Sequence, residues 1–146
     1  MDFIFDKEKL RDMHQVISLF QKFDKYKFCL DRESLYFDLL PSFQLDQYKI
    51  HKHGDDVIAF NNWAFLNKEA ENYYTITGEI KPEAWNSGDK VWHVDFICVK
   101  DVRKVMKWTK NYFTNLIGYN QPVNYLRIAE DGTITRKSKK LTHGQS

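Results

Sequence analysis

At 146 residues, with 42% hydrophobic and 29% charged side chains, the chain can bury one sizeable core and is too apolar for a disordered segment. A formal charge of +2 is too small to argue for a nucleic-acid surface, and no apolar run approaches the roughly 20 residues that span a bilayer. Two cysteines, Cys29 and Cys98, make no disulfide framework, and Met1 to Asp6 lacks the basic region of a secretory leader. A cytoplasmic protein with free thiols is therefore expected.

Asp6 to Phe23 predicts an amphipathic helix, with Leu10, Met13, Ile17 and Phe20 on one face and Asp6 as its cap. Phe23 to Asp31 reads as an aromatic and basic connection. Ser34 to Phe43 predicts a helical turn that breaks at Pro41. Tyr48 to His53 and Val57 to Phe65 predict two strands joined by Gly54-Asp55-Asp56. Asn67 to Tyr74 predicts a short helix capped by Asn67, followed by a loop over Thr75 to Glu83. Val91 to Val99 predicts a strand with Trp92, Val94, Phe96 and Cys98 on one face and His93 and Asp95 on the other. Asp101 to Leu116 predicts the longest helix, capped by Asp101 and ended by Gly118. Val123 to Ala129 and Thr133 to Arg136 predict a hairpin around Glu130-Asp131-Gly132. Together these make one α+β domain over residues 1–136, a sheet with helices over it, and a basic polar tail over 137–146.

The most informative stretch is Trp85-Asn86-Ser87-Gly88-Asp89-Lys90-Val91-Trp92. Ser-Gly-Asp supplies the φ > 0 and the side-chain bonding of a tight turn. The tryptophans should pack beside it and present the Asp89 carboxylate against an aromatic wall. Trp63, Trp85, Ser87, Trp92 and Asp95 form the candidate substrate-binding set around it. As a plain turn residue Asp89 would only bond its own backbone, and His93 on a half-exposed strand would be a surface histidine. His51 and His53 alternate along a strand, but no further ligand is spaced to complete a metal site, so none is predicted.

Those residues carry a likeness. Leu40-Pro41, Gln47-Tyr48, Trp63-Ala64-Phe65-Leu66, Trp85-x-Ser87-Gly88-Asp89-x-x-Trp92 and Leu126-Arg127-Ile128 resemble the RTX toxin-activating lysine acyltransferases, over roughly the last two-thirds of the chain. The resemblance implies an N-acetyltransferase-like (GNAT-like) α+β fold with a mostly antiparallel sheet. It also implies a cytoplasmic enzyme that moves a fatty acyl group from acyl carrier protein to a lysine ε-amine of a protein acceptor. No cofactor is bound, and family members often pair, so a homodimer is compatible. The family lacks a glycine-rich pyrophosphate loop, and no GxGxxG precedes the long helix here.

In the family, an N-terminal histidine and the aspartate of Ser-Gly-Asp are the proposed acid/base pair. The aspartate carries over to Asp89. The histidine's position falls near Lys27, and Asp38 stands where an asparagine is expected. Two histidines could replace it: His14 from the first helix, or His93, preferred because it follows the motif and shares a strand face with Asp95. The run Lys137-Ser138-Lys139-Lys140 is either a solvated tail or a contact for the acidic carrier protein. The alternative is a non-catalytic binding protein on the same scaffold, carried by a phage or mobile element and acting on a host partner.

Overall fold

The computed structural model describes residues 7–22, 32–128 and 133–145, with only the backbone of 32–37, 128, 135 and 136. The proposed cap Asp6, the connection from Phe23 to Asp31 with Cys29, and the turn Glu130-Asp131-Gly132 lie outside the described residues.

Helix α1, Lys7–Phe20, buries Met13, Val16, Ile17, Leu19 and Phe20, while the predicted core residue Leu10 is largely exposed. Helix α2, Arg32–Gln44, runs through Pro41 instead of breaking there. An interior proline costs a helix about 3 kcal/mol. Here Pro41 is buried, and its neighbours Leu39 and Phe43 pack in the core with α1 and β2, a tertiary gain that offsets the cost. The Pro41 carbonyl still accepts from the Leu45 N–H at 3.1 Å.

Strands β1, Tyr48–His53, and β2, Asp56–Leu66, form the predicted hairpin, with Gly54 at φ 62° in its turn. Asn67 caps helix α3, Lys68–Thr77, by accepting from the Ala70 N–H at 2.8 Å, and Gly78 ends it at φ 75°. A short 3₁₀ turn, Pro82–Ala84, precedes strand β3, Lys90–Cys98. Helix α4, Val102–Ile117, follows. Asp101 holds the cap position, and its carbonyl accepts from Lys104 and Val105 N–H, but its side chain makes no capping bond. Its backbone is left-handed at φ 58°, and its carboxylate lies 3.7 Å from His53 Nδ1. Strands β4, Pro122–Ile128, and β5, Ile134–Leu141, complete the sheet in the order β1-β2-β3-β4-β5. All neighbours are antiparallel except β3 and β4, which are parallel and joined across α4.

β5 overturns the predicted frayed tail. Lys137, Ser138, Lys139 and Lys140 pair with β4 as far as Leu141, and Thr142 beyond them is buried. Lysines suit this outer position, because charge on an edge strand discourages pairing with another chain.

The sheet has two covered faces. Phe60, Ala64 and Leu66 of β2 pack under α1, α2 and α3, whereas Ala59 and Trp63 face α4. Strand β3 does not alternate cleanly. Trp63 stands opposite His93 and Asn61 opposite Phe96, so Val94 and Asp95 together face the single residue Asn62. This β-bulge shifts the side-chain phase. Trp92 and Val94 pack on the α3 side, but Phe96 and Cys98 pack with Val105 of α4. The expectation that His93 and Asp95 share a face therefore fails.

Candidate active site

β3 and β4 have one registered pair, Trp92 opposite Asn124, secured by Asn124 Nδ2 donating to the Val91 carbonyl at 3.1 Å. Beyond it the strands part. A cleft of about 2000 Å³ opens there, lined by residues 93–96 of β3, by Val123, Tyr125, Leu126 and Arg127 of β4, and by α3 and α4 on either side. Two strands that diverge leave backbone N–H and C=O groups without ladder partners, which can receive an extended chain.

Asp95 sits on this cleft at the bulge. Asn62 clasps it twice: Asn62 Nδ2 donates to Asp95 Oδ2 at 3.0 Å, and the Asp95 N–H donates to Asn62 Oδ1 at 2.8 Å. Asn62 is itself fully buried and also donates to Ser42 Oγ of α2 at 3.2 Å. Burial pushes the Asp95 carboxyl up to about 6. The Asn62 amide works against that shift, and the nearby Asp38 carboxylate adds to it. Asp38, also on the cleft, is raised by its partial burial and then by Glu79. A carboxylate poised near neutral pH in a cleft is suited to proton transfer.

His93 lines the same cleft but turns toward α4, its ring edge-on to Phe96 and Phe113 at 5.6 and 6.0 Å. Burial, then the Lys140 charge, lowers it to about 4, so it is neutral at physiological pH. Its Nε2 lies 3.1 Å from Asn61 Nδ2, and Asn61 Oδ1 lies 3.1 Å from Nε2 of His51. The His93 lone pair is thus engaged by an amide, which leaves the ring poorly placed to act as a base. Burial likewise lowers His51. His51 and His53 are committed to different partners, Asn61 and Asp101. Among the described residues, no group of three His, Cys, Asp or Glu could hold a metal ion.

The tryptophan-flanked motif forms a clasp beside the cleft. The Phe65 carbonyl accepts from Ser87 N–H at 2.7 Å and Gly88 N–H at 3.1 Å, and Phe65 N–H donates to the Trp85 carbonyl at 2.9 Å. Ser87 Oγ accepts from Asn67 N–H at 3.0 Å. Gly88 is required by closeness, not by the positive φ expected: a Cβ there would meet the Asn67 backbone at 2.6 Å. Gln47 ties in the other side, its amide donating to the Trp63 and Trp85 carbonyls at 2.9 and 3.2 Å. Trp92 is fully buried, and its Nε1 donates to Glu71 at 2.9 Å. Trp63 is buried among Trp108, Tyr112 and Phe113. Of the predicted substrate-binding set, Trp85 and Asp95 line the cleft, while Trp63, Ser87 and Trp92 do not. Of the predicted acid/base residues, only His93 lines it. Asp89 and His14 are exposed and stand outside the lining.

The cleft carries both signs of charge. Asp38 and Glu79 accompany Asp95, with Lys81 close to Glu79 in the chain, while Arg103, Lys107 and Lys110 belong to α4, Arg127 to β4, and Lys140 lies near His93. Sequence reasoning missed Asn61 and Asn62. Two amides in the middle of the apolar run Val57 to Leu66 were the available signal, since buried polar groups require partners.

Comparison with known proteins agrees with this architecture. The loading GNATL domain of CurA from Lyngbya majuscula superposes with a TM-score of 0.55 at 11% identity, covering 82% of this chain and 61% of that one. The GNAT-like α+β fold is therefore present. A leukotoxin-activating lysine-acyltransferase of a Pasteurella haemolytica-like species is 25% identical over 70% of this chain and 67% of its own length. The RTX-II toxin-activating lysine-acyltransferase of Actinobacillus pleuropneumoniae is 34% identical over 41% of this chain and 38% of its own length. The protein-lysine myristoyltransferase HlyC of Escherichia coli is 34% identical over 41% and 36%, so the matched stretches span from about a third to two thirds of these relatives. The family model described as HlyC, RTX toxin acyltransferase family, matches residues 7–140, and the chain belongs to that family.

Proposed function

We propose that the chain transfers a fatty acyl group from acyl carrier protein to a lysine ε-amine of a protein acceptor, with Asp95 as the acid/base residue. The observation that carries this reading is the Asp95 carboxylate, clasped by Asn62 on the cleft and raised to about 6. It replaces Asp89, whose exposed position gives it no cleft to act in.

The cleft carboxylates and the α4 cations suit different substrates. A cationic lysine suits Asp38, Glu79 and Asp95. An acidic carrier protein suits Arg103, Lys107 and Lys110 of α4, and its extended, amide-bearing arm suits the gap between β3 and β4. A lysine ammonium has a pKa of about 10.4 and must shed a proton to become a nucleophile. In the reaction the nitrogen attacks the thioester carbon, and the C–N bond forms as the C–S bond breaks. The proton leaving nitrogen passes through Asp95 to the departing sulfur. At neutral pH a carboxyl near 6 is ionised often enough to accept a proton and weak enough to return it.

Intact-mass measurement of a lysine-bearing acceptor mixed with the protein and acyl-loaded carrier protein tests this. Asp95→Asn is expected to abolish the mass gain and Asp89→Asn to retain it. The opposite pattern would return the acid/base role to the turn. A stable carrier complex with no mass gain would favour the non-catalytic binding protein.

A further inference from the structure

The buried polar line His51, Asn61, His93 has no part in the chemistry above. It runs through β1, β2 and β3 in a region otherwise packed with Trp108, Phe96 and Phe113. Asn61 is fully buried and satisfied at both ends. Its orientation follows from a fourth residue. Thr109 Oγ1 directs its single proton to the Val105 carbonyl at 2.8 Å, so toward Asn61, 3.0 Å away, it can only accept. The Asn61 nitrogen therefore faces Thr109, and its oxygen faces His51.

This assignment dictates the state of His93. Asn61 Nδ2 is a donor, so His93 Nε2 beside it must be a bare lone pair. In a neutral imidazole the proton then resides on Nδ1. Nδ1 has no partner among the described residues and is not sealed from solvent, and His93 lines the cleft. The ring thus offers one N–H to the space where β3 and β4 diverge, from the side opposite Asp95. We propose that His93 donates this hydrogen bond to the oxygen of the reacting thioester, and that Asn61 is the positioning residue that sets its tautomer. The inference rests on the acyl-transfer reading. It gives His93 the work of an electrophile in place of a base: negative charge gathers on that oxygen as the amine adds, and a fixed neutral donor stabilises it. Protonation would destroy the arrangement by setting two donors face to face at Nε2. The low value of about 4, produced by burial and Lys140, keeps the ring neutral across the working range.

The experiment pairs ¹⁵N-resolved imidazole NMR with steady-state transfer from acyl-loaded carrier protein. In the wild type, Nδ1 of His93 is expected to carry the proton and Nε2 to be bare at pH 7. His93→Phe keeps the ring packing against Phe96 and Phe113 but removes the donor; kcat should fall about 10²-fold with KM for the carrier unchanged. Asn61→Asp offers no proton to Nε2, so the tautomer should invert and kcat fall with it. Should that buried carboxylate prevent folding, His93→Phe and the wild-type spectrum still decide. An Nε2–H tautomer in the wild type overturns the proposal. So does an active wild type whose His93→Phe variant keeps its kcat within about twofold, too little for a lost oxyanion donor. A wild type that transfers nothing overturns the acyl-transfer reading together with this role, whereas the other two results overturn this role alone.

Discussion

Replacing Asp95 by asparagine should separate activity from stability in opposite directions. The folded protein raises this carboxyl from 3.8 to about 6, chiefly by burial. An acid raised on folding favours the fold while it is neutral. Its contribution is complete below pH 3.8 and is lost as pH rises through about 6. Above pH 7 the ionised group therefore weighs against the fold by roughly 3 kcal/mol at most, from 1.36 kcal/mol for each tenfold change in proton affinity. Asparagine carries no charge, can still accept from Asn62 Nδ2, and leaves the backbone bond to Asn62 Oδ1 in place. Thermal unfolding should show Asp95→Asn melting several degrees above the wild type at pH 8, at about 2–4 °C per kcal/mol for a chain of this size. The two should converge toward pH 4. Acyl transfer should meanwhile fall by about 10²-fold or more, as for loss of a general acid/base. A variant less stable than the wild type at pH 8 would refute the burial argument. Undiminished transfer would refute the role.

Other outcomes follow from the clasp, the cap and the α4 surface. Gly88→Ala should destabilise by about 1–3 kcal/mol in urea unfolding, because its Cβ meets the Asn67 and Leu66 backbone, which cannot yield as a side chain would. Asn67→Ala should cost about 1 kcal/mol by freeing the Ala70 N–H, read in the same assay. Charge reversal at Lys107 and Lys110 together should raise KM for the acyl-loaded carrier and flatten its salt dependence while leaving kcat in place; an unchanged salt slope would place docking elsewhere.

How far the site could be read without coordinates depends on the range of each interaction. The Asn67 cap, the Gly54 turn and the amphipathic α1 and α4 follow from residues within a few positions of one another, and they stand where the pattern put them. Trp85-x-Ser87-Gly88-Asp89 was visible as a turn, yet its purpose was not. What Gly88 must avoid is the backbone of Asn67, more than 20 positions back in the chain. Pro41 misled for a similar reason: helix propensity is local, but the packing of Leu39 and Phe43 that holds this helix comes from α1 and β2.

Composition and periodicity determined the α+β class and most of the elements, and a resemblance at rare residues of matched spacing pointed to the family. They could not determine which carboxylate faces the cleft. Strict alternation placed His93 and Asp95 together, and only pairing with β2 shows Val94 and Asp95 both facing Asn62, which sends the two groups to opposite sides of the sheet. A bulge is a property of two strands in register, and no single strand's sequence contains it.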